Sequence, residues 1–241
     1  MEWVYGRHPV FEVLRAGKRK LHKLWIAEGV SGEGIDQIVD LARKRGFGFD
    51  RVPRMRLDQT VRGHHQGVAA QVSDPSYVTL DSFLHETKDR KRLFILGLDE
   101  IQDPQNVGAI LRSAGFFGVD AVLIPRFRSA PVSDVAQRAS AGALEHLTLI
   151  EVKNLAEAVL DLQEKGFQVY GADMAGEPVW RVPRHDRQAL ILGNEGDGLR
   201  RLVRERCDKL IGIPGRGKVQ SLNVGSAGTA LMYELCARSS S

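Results

Sequence analysis

The 241-residue sequence has little cysteine and no long apolar run, and each absence excludes a class of protein. Its two cysteines, Cys207 and Cys236, lack metal-ligand spacing, which argues against a disulfide framework and a cysteine metal site and favours a reducing cytoplasm. No apolar run approaches the roughly 20 residues that span a bilayer. Glu2, Arg7 and His8 interrupt any apolar signal core, so we expect a cytoplasmic protein with no membrane partner.

The usual nucleotide-binding loops are also missing. No G-x-G-x-x-G follows a first strand, which argues against a dinucleotide site. Residues 212–218 fit G-x-x-x-x-G-K, but Val219 stands where a phosphate-binding loop needs Ser or Thr to hold magnesium. A phosphate-loop nucleotidase therefore stays a weakened alternative, which ATP binding would revive.

Positive charge is concentrated in the N-terminal third. Residues 1–72 carry 13 Lys and Arg against 8 Asp and Glu, a balance of +5, whereas the rest carry 21 against 22, a balance of −1. This excess suits contacts to phosphates, although a solvated basic surface would show the same balance. One predicted loop region holds a basic cluster that suits RNA phosphates: Arg51, Arg54, Arg56, Arg62, His64 and His65. We expect its histidines to face solvent and not to act as catalysts.

The apolar spacing predicts a small α/β domain over residues 1–73. Helices are predicted over 9–16 and 35–45 because their apolar residues have helical spacing and Gly17 and Gly46 follow them. Strands are predicted over 23–27, 47–52 and 67–72, with a short helix over 57–62. Residues 74–91 are polar with one weak apolar patch, which predicts an interdomain linker.

Strands and helices alternate regularly over residues 92–241, which predicts a mostly parallel α/β sheet. Strands are predicted over 93–98, 121–124, 147–150 and 168–170, with helices over 106–118, 133–142 and 154–166 and an irregular segment over 173–188. Two further apolar runs, from Ala189 and from Leu210, each end in a glycine-rich loop, and the second loop leads into a final helix. Parallel strands bind ligands beyond their carboxyl ends, so these loops predict a ligand crevice.

Five polar residues occupy the expected ligand face of this sheet: Asn106, Arg112, Glu195, Ser221 and Asn223. Each has a simple structural alternative. Asn106 suits a helix cap, Ser221 suits a cap of the last helix with Asn223 in its first turn, Glu195 suits a turn, and Arg112 suits a solvated helix face. Their joint presence favours a functional site.

Three ordered motifs carry a resemblance to a known family. They are Asp103-Pro-Gln-Asn-Val-Gly-Ala-Ile-Leu-Arg-Ser-Ala114, Leu192-Gly-Asn-Glu-Gly-Asp-Gly-Leu199, and Ile213-Pro214 with Ser221-Leu-Asn-Val224. Over about residues 91–238 the chain resembles the SpoU (TrmH) family of RNA ribose 2′-O-methyltransferases. Three shorter stretches resemble the branch that methylates a guanosine in 23S rRNA: residues 4–10, 65–67 and 140–143. The N-terminal domain of that branch is similar to the ribosomal L30e/L7Ae RNA-binding fold.

The resemblance implies a SPOUT-type methyltransferase domain with a deep C-terminal trefoil knot, which pattern reasoning alone would not propose because knots are rare. It further implies S-adenosylmethionine as methyl donor without a metal, 23S rRNA or a ribosome assembly intermediate as partner, and a homodimer whose sites use both subunits. The implied cofactor-binding residues are Leu192, Gly193, Glu195, Ile211, Ile213, Pro214, Leu222 and Asn223.

The implied catalytic residues are the same five polar residues. Arg112 would pair with an RNA phosphate and stabilise the developing oxyanion, because a guanidinium normally stays protonated and is a poor base. Asn106, Glu195, Ser221 and Asn223 would position Arg112, the ribose or the methionine portion, with Asn223 nearest the hydroxyl. Gly225 stands where Ser is common, and we expect it and Gly228 to alter only local packing.

Two other functions stay open. The same chemistry on a tRNA ribose or on an rRNA adenosine would use nearly the same motifs. A non-catalytic, RNA-binding ribosome-assembly factor would keep the fold without the activity, and the five polar residues together weigh against it. Calorimetry with S-adenosylmethionine separates this factor from an enzyme.

Overall fold

The computed structural model describes residues 1–126, 142–219 and 221–237, and these form two compact units. The first comprises Met1–Ser76 with the described residues 142–146, and the second holds the remaining described residues. The helix predicted over 133–142 lies outside the described residues except for its last position, as do the first two residues of the 140–143 stretch.

The first unit is a four-stranded sheet covered by helices on both faces. Its elements are β1 Glu2–Tyr5, α1 Arg7–Ala16, β2 Leu21–Ala27, α2 Glu33–Lys44, β3 Asp50–Val52, α3 Arg54–Thr60 and β4 Val68–Val72. The strand order is β1-β4-β2-β3, with only β2 and β3 parallel. Side chains alternate along β2, so Leu24 and Ile26 pack with α1 and α2 while Trp25 packs with Leu57 of α3. Every element predicted here forms, and β1 was missed because four residues carry too little periodicity.

A short segment from later in the chain completes this unit. Residues Ala143–His146 form a 3-10 turn that contacts α1. Within it, Glu145 accepts a hydrogen bond from Nη1 of the buried Arg19 at 3.1 Å, and Arg19 also pairs with Glu2 at 2.7 Å. Burial raises the pKa of Glu145, and the charge of Arg19 opposes that rise. No sequence pattern linked these positions, because their separation along the chain is large.

The second unit is a seven-stranded, wholly parallel sheet. Its elements are β5 Tyr77–Val78, α4 Leu80–Glu86, β6 Leu93–Asp99, α5 Pro104–Phe117, β7 Ala121–Pro125, β8 Thr148–Val152, α6 Leu155–Glu164, β9 Gln168–Pro178, β10 Arg187–Gly193, α7 Arg201–Arg206, β11 Lys209–Gly212 and α8 Val224–Ala237. The strand order is β11-β9-β10-β6-β7-β8-β5. The parallel α/β prediction is confirmed.

Two segments of this unit differ from the sequence-based expectation. Residues 77–86, predicted as part of a linker, form β5 and α4, and Leu80, Phe83 and Leu84 are buried in the core of the second unit. Strand β9 continues to Pro178 instead of ending at residue 170, and a 3-10 turn follows at Val179–Arg181. The first pattern was weak because its few apolar residues stand in a polar stretch, and the second because Gly171, Asp173 and Gly176 interrupt the apolar run.

Helices α5 and α8 pack against each other. The pair is closely fitted, because a Cβ added at Gly225 would lie 3.4 Å from the Cβ of Ala109. Ser113 and Thr229 join the two helices through a 2.7 Å hydrogen bond between their hydroxyls. None of the described helices is long and apolar enough to cross a membrane.

Candidate active site

The carboxyl ends of β6 and β10 lie side by side, because Gly193 pairs with Asp99 in the parallel register. Asp99 is fully buried and accepts two hydrogen bonds from Arg200, one from its backbone N–H at 2.8 Å and one from Nε at 2.7 Å. These bonds tie the far end of the loop after β10 to the end of β6. Sequence reasoning missed Asp99, although an acidic residue closing an apolar strand was a usable signal.

The loop after β10 presents Glu195 at this edge. Asn194 and Gly198 exchange two backbone hydrogen bonds of 3.1 Å, and the Oδ1 of Asn194 accepts a 2.7 Å bond from the N–H of Gly196. Gly198 has a φ of +70°, which favours glycine. The turn therefore holds Glu195 exposed at the strand end, as predicted.

A hydrogen-bonded chain of three predicted residues crosses the site. Asn223 donates from Nδ2 to Oδ1 of Asn106 at 2.9 Å, and Asn106 donates from Nδ2 to Oε1 of Glu195 at 2.6 Å. The Oδ1 of Asn223 also accepts N–H groups of Gly225 and Ser226, at 2.8 and 3.3 Å, which leaves its Nδ2 as the donor. The start of α8 thus sets the direction of the whole chain, which ends on the carboxylate.

The caps differ from the sequence-based expectation. Asp103 caps α5 by accepting the N–H of Gln105 at 2.9 Å, so Asn106 lies inside the first turn. Asn223 caps α8 in place of Ser221, since its side chain accepts the first free amides of that helix. Because Asp103 caps the helix, the side chain of Asn106 is available to donate to Glu195.

The predicted cofactor-binding residues fall into two groups. Leu192, Gly193 and Ile211 are buried, whereas Glu195, Pro214, Leu222 and Asn223 are exposed and Ile213 is half-buried. The side chain of Leu192 lies under α8, where a Cβ added at Gly228 would come within 2.6 Å of it. Gly228 therefore allows α8 to approach β10, which explains this departure from an apolar helix. Leu192 and Ile211 support the site from beneath.

Arg112 is not part of the hydrogen-bonded chain. It lies about 240° around α5 from Asn106, on an exposed face. Across the described residues, no hydrogen bond or ion pair involves Arg112 or Ser221. The structure therefore joins Asn106, Glu195 and Asn223 by hydrogen bonds, and among the described residues Arg112 and Ser221 take no part in that chain.

Neither cysteine is suited to chemistry here. Burial raises the pKa of both thiols to about 12, with smaller contributions from Asp208 and Asp99 for Cys207 and from Asp120 for Cys236. Within residues 1–126, 142–219 and 221–237, no cluster of His, Cys, Asp or Glu has the form of a metal site. The polar groups at the edge of the sheet suit binding and orientation of a substrate.

Comparisons with known proteins agree with this architecture. Residues 93–233 match the model of the SpoU rRNA Methylase family, and residues 3–78 match a domain described as RNA 2′-O ribose methyltransferase substrate binding. A Bacillus subtilis protein assigned to the TrmH family of tRNA/rRNA methyltransferases is 40% identical over 236 residues, which cover 97% of this chain and 94% of the relative.

Two solved structures have the same fold. The SpoU methyltransferase AviRb of Streptomyces viridochromogenes, in complex with AdoMet, has a TM-score of 0.80 at 24% identity, covering 98% of this chain and 89% of that one. The AdoMet-bound rRNA methyltransferase of Sinorhizobium meliloti has a TM-score of 0.81 at 22% identity, covering 99% and 88%. At these identities the likeness concerns the fold.

Proposed function

Because the chain belongs to the SpoU rRNA methylase family, we propose that it methylates the ribose 2′-hydroxyl of a guanosine in 23S rRNA, using S-adenosylmethionine. The observation that carries this proposal is the chain of hydrogen bonds from Asn223 through Asn106 to Glu195 at the carboxyl edge of the sheet. These residues come from three motifs far apart in sequence. Packing requires no such convergence of exposed polar groups.

The residues at this edge fit S-adenosylmethionine. Residues 213–219 follow β11 without helix or strand, and a Cβ added at Gly215 or Gly217 would meet nothing within 4 Å, so their backbone is open to a ligand. Exposed Glu195 and Asn223 offer a carboxylate and an amide to a cationic amino acid. Bound there, S-adenosylmethionine would supply an electrophilic methyl group. We assign its binding to Leu192, Gly193, Glu195, Ile211, Ile213, Pro214, Leu222 and Asn223.

The protein must orient the ribose hydroxyl in line with the methyl group. It must also stabilise the negative charge that develops on the hydroxyl oxygen as the proton leaves. Asn223, which the start of α8 and Asn106 hold in place, would contact the hydroxyl. Ser221, two residues earlier, helps to orient the ribose. Arg112 holds the adjoining phosphate and stabilises negative charge on the oxygen, which a permanently charged guanidinium does well.

We further propose that Arg112 serves the site of a second copy of this chain. Arg112 projects from the exposed face of α5, where Phe116 is 83% exposed. Phe117 of α5 and Tyr233 of α8 lie with ring centroids 6.1 Å apart, and Tyr233 is 55% exposed. Exposed aromatic residues on paired helices favour a dimer interface. Phe116→Asp should yield a folded monomer in sedimentation, whereas Leu160→Asp on α6 should leave the dimer intact.

The proposal includes a trefoil knot and a division of labour between domains. The knot is assigned from membership of the family. Strand β11 lies close against β9, since a Cβ at Gly176 would lie 2.6 Å from the backbone of Ile211 and one at Gly212 would lie 2.5 Å from the carbonyl oxygen of Asp173. We assign RNA binding to the first unit and methyl transfer to the second unit, which begins at Tyr77. The enzyme would act in the cytoplasm on 23S rRNA or an assembly intermediate.

The test maps ribose methylation across rRNA in cells with and without the gene. Loss of one guanosine methylation in 23S rRNA is the expected result, and restoration should require intact Asn106. Loss of methylation at a tRNA ribose or at an rRNA adenosine would identify that RNA as the substrate of the same chemistry. An unchanged methylation map together with no calorimetric heat for S-adenosylmethionine would overturn the proposal and favour an assembly factor.

A further inference from the structure

A cavity of about 420 Å³ opens in the first unit. This volume suits one nucleotide, since small-molecule sites occupy roughly 300 to 1,000 Å³. Its lining combines two arginines, an imidazole and an amide with an apolar floor: Arg7, Arg54, His64, Gln66, Val30 and Gly67. The methyl-transfer chemistry described above uses none of these residues.

The loop of residues 62–67, which forms one wall of the cavity, is rigidly held. The Tyr5 hydroxyl donates to the carbonyl of Arg62. His65 is 3% exposed, accepts the N–H of Gly67 at Nδ1 over 3.0 Å, and therefore donates from Nε2 to Asp58 over 2.8 Å. This corrects the expectation that His65 faces solvent. The buried imidazole therefore supports the cavity wall through hydrogen bonds at both of its ring nitrogens.

Gln66 joins this wall to Arg7. It has a φ of +51°, which is uncommon outside glycine and costs free energy that the surrounding contacts must offset. In that conformation its Oε1 accepts the backbone N–H of Arg7 at 3.0 Å, and its carbonyl accepts from Nε of Arg7 at 3.5 Å. The strained residue thereby fixes the arginine at the mouth of the cavity.

The charge on the cavity is not neutralised by nearby carboxylates. Within the part of the chain that the structure describes, neither Arg7 nor Arg54 forms an ion pair. Arg51 has a different role, because its Nη1 donates to the carbonyls of Ala27 and Val30 at 3.2 and 2.8 Å and so shapes the floor. Two unpaired guanidinium groups beside an ordered cavity suit a phosphate.

We propose that this cavity binds one unpaired nucleotide of the RNA substrate. The phosphate contacts Arg7 and Arg54, while the base lies over Val30 and meets the polar edges of His64 and Gln66. A paired base would not enter, because its edge is occupied and its neighbours are stacked; unpaired bases are the usual targets of specific RNA recognition. That the ligand is RNA rests on the proposed function.

The test uses the full chain and a mixed-sequence, single-stranded RNA hexamer, with the duplex of the same sequence as comparison. Arg7→Gln/Arg54→Gln should weaken hexamer binding by at least about tenfold and reduce the salt slope of log K by about 1 to 2, as expected for two lost phosphate contacts. Arg43→Gln/Lys44→Gln, in the exposed last turn of α2, removes the same charge and should change affinity less than about twofold. Circular dichroism checks the fold of each variant.

A second variant tests size independently of charge. Val30→Phe fills the cavity floor and should weaken the hexamer while binding of inorganic phosphate stays unchanged. Equal losses in Arg7→Gln/Arg54→Gln and Arg43→Gln/Lys44→Gln would overturn the proposal. Duplex binding that loses as much affinity as hexamer binding in Arg7→Gln/Arg54→Gln would also overturn it. S-adenosylmethionine binding is measured in parallel. If the wild-type chain does not bind S-adenosylmethionine, the proposed function is contradicted. If it binds S-adenosylmethionine but hexamer affinity is unchanged in the cavity variants, only this inference is contradicted.

Discussion

Asn223 donates from Nδ2 to Oδ1 of Asn106 over 2.9 Å, across 117 residues of sequence. The amide of Asn223 has one permitted orientation, because its oxygen accepts two N–H groups at the start of α8. Asn106 must then accept from Asn223 and donate to Glu195. The directions of both hydrogen bonds in this chain therefore follow from the free amides at the start of α8.

Asn106→Asp should strongly reduce methyl transfer. The new carboxylate still accepts from Asn223 but has no donor for Glu195, so two negative charges face each other where a 2.6 Å bond stood. We expect kcat to fall about 100-fold or more, which corresponds to about 2.7 kcal/mol of transition-state stabilisation. Steady-state kinetics with tritiated S-adenosylmethionine measure this.

The matched control for that variant is Gln105→Asp. It adds the same charge one residue away, on an exposed position of the same turn. We expect it to keep kcat within about threefold of the wild type. Equal losses in both variants would mean that general electrostatics, and not the contact with Glu195, controls the rate.

Arg112→Ala should abolish transfer while S-adenosylmethionine binding changes little, because Arg112 takes no part in the hydrogen-bonded chain that we propose to face the cofactor. Mixing this variant with Asn223→Asp tests whether Arg112 serves the partner. Sites shared between subunits regain activity in mixed dimers, to about a quarter of wild type after random exchange, since half the dimers are mixed and each has one intact site. No recovery despite demonstrated exchange would place Arg112 in the site of its own chain.

Arg19→Met should destabilise the first unit by about 3 to 5 kcal/mol, because it leaves buried Glu145 and Glu2 without their cation. Burial already raises the pKa of Glu145, and loss of Arg19 raises it further. The loss of stability should therefore be smallest below the ordinary pKa of 4.5, where Glu145 is protonated in both states, and grow as pH rises. Urea unfolding as a function of pH measures it.

Two further variants distinguish the cost of an unpaired buried carboxylate from the cost of removing an arginine side chain. Arg19→Met/Glu145→Gln should recover much of the stability at neutral pH, because one uncompensated carboxylate is gone. Arg15→Met removes an arginine whose side chain is 63% exposed, and it should cost no more than about 1 kcal/mol. A pH-independent loss in Arg19→Met would contradict the role assigned to Glu145.

Cys207 and Cys236 should react slowly with a thiol reagent at pH 8 in the folded protein and rapidly in denaturant. Burial raises both pKa values from 9.0 to about 12, which lowers the thiolate fraction by roughly a thousandfold. Met55→Cys, at a position that is 66% exposed, supplies an internal control and should react at the rate of a free thiol. Fast labelling of all three thiols would contradict the burial of Cys207 and Cys236.

The order of elements in the second unit was predictable from local pattern. The continuous apolar run of β6 indicated a strand covered on both faces, and Gly118 and Gly166 ended helices with a positive φ. The order in which the strands pair could not be predicted from local sequence. The placement of β9 between β10 and β11 depends on which surfaces bury most apolar area together, which no local window records.

The sequence by itself predicted the polar candidates for the site and most of the secondary structure that carries them, because helix periodicity and glycine positions act over a few residues. Only the tertiary structure decided which of those residues meet. Asn106, Glu195 and Asn223 converge because parallel strands end at a common edge and α8 returns to pack on α5, while Arg112 lies on an exposed part of α5 outside that hydrogen-bonded chain. His65 became a buried support because the fold gave both of its ring nitrogens a partner, a long-range outcome that its polar surroundings in sequence do not reveal.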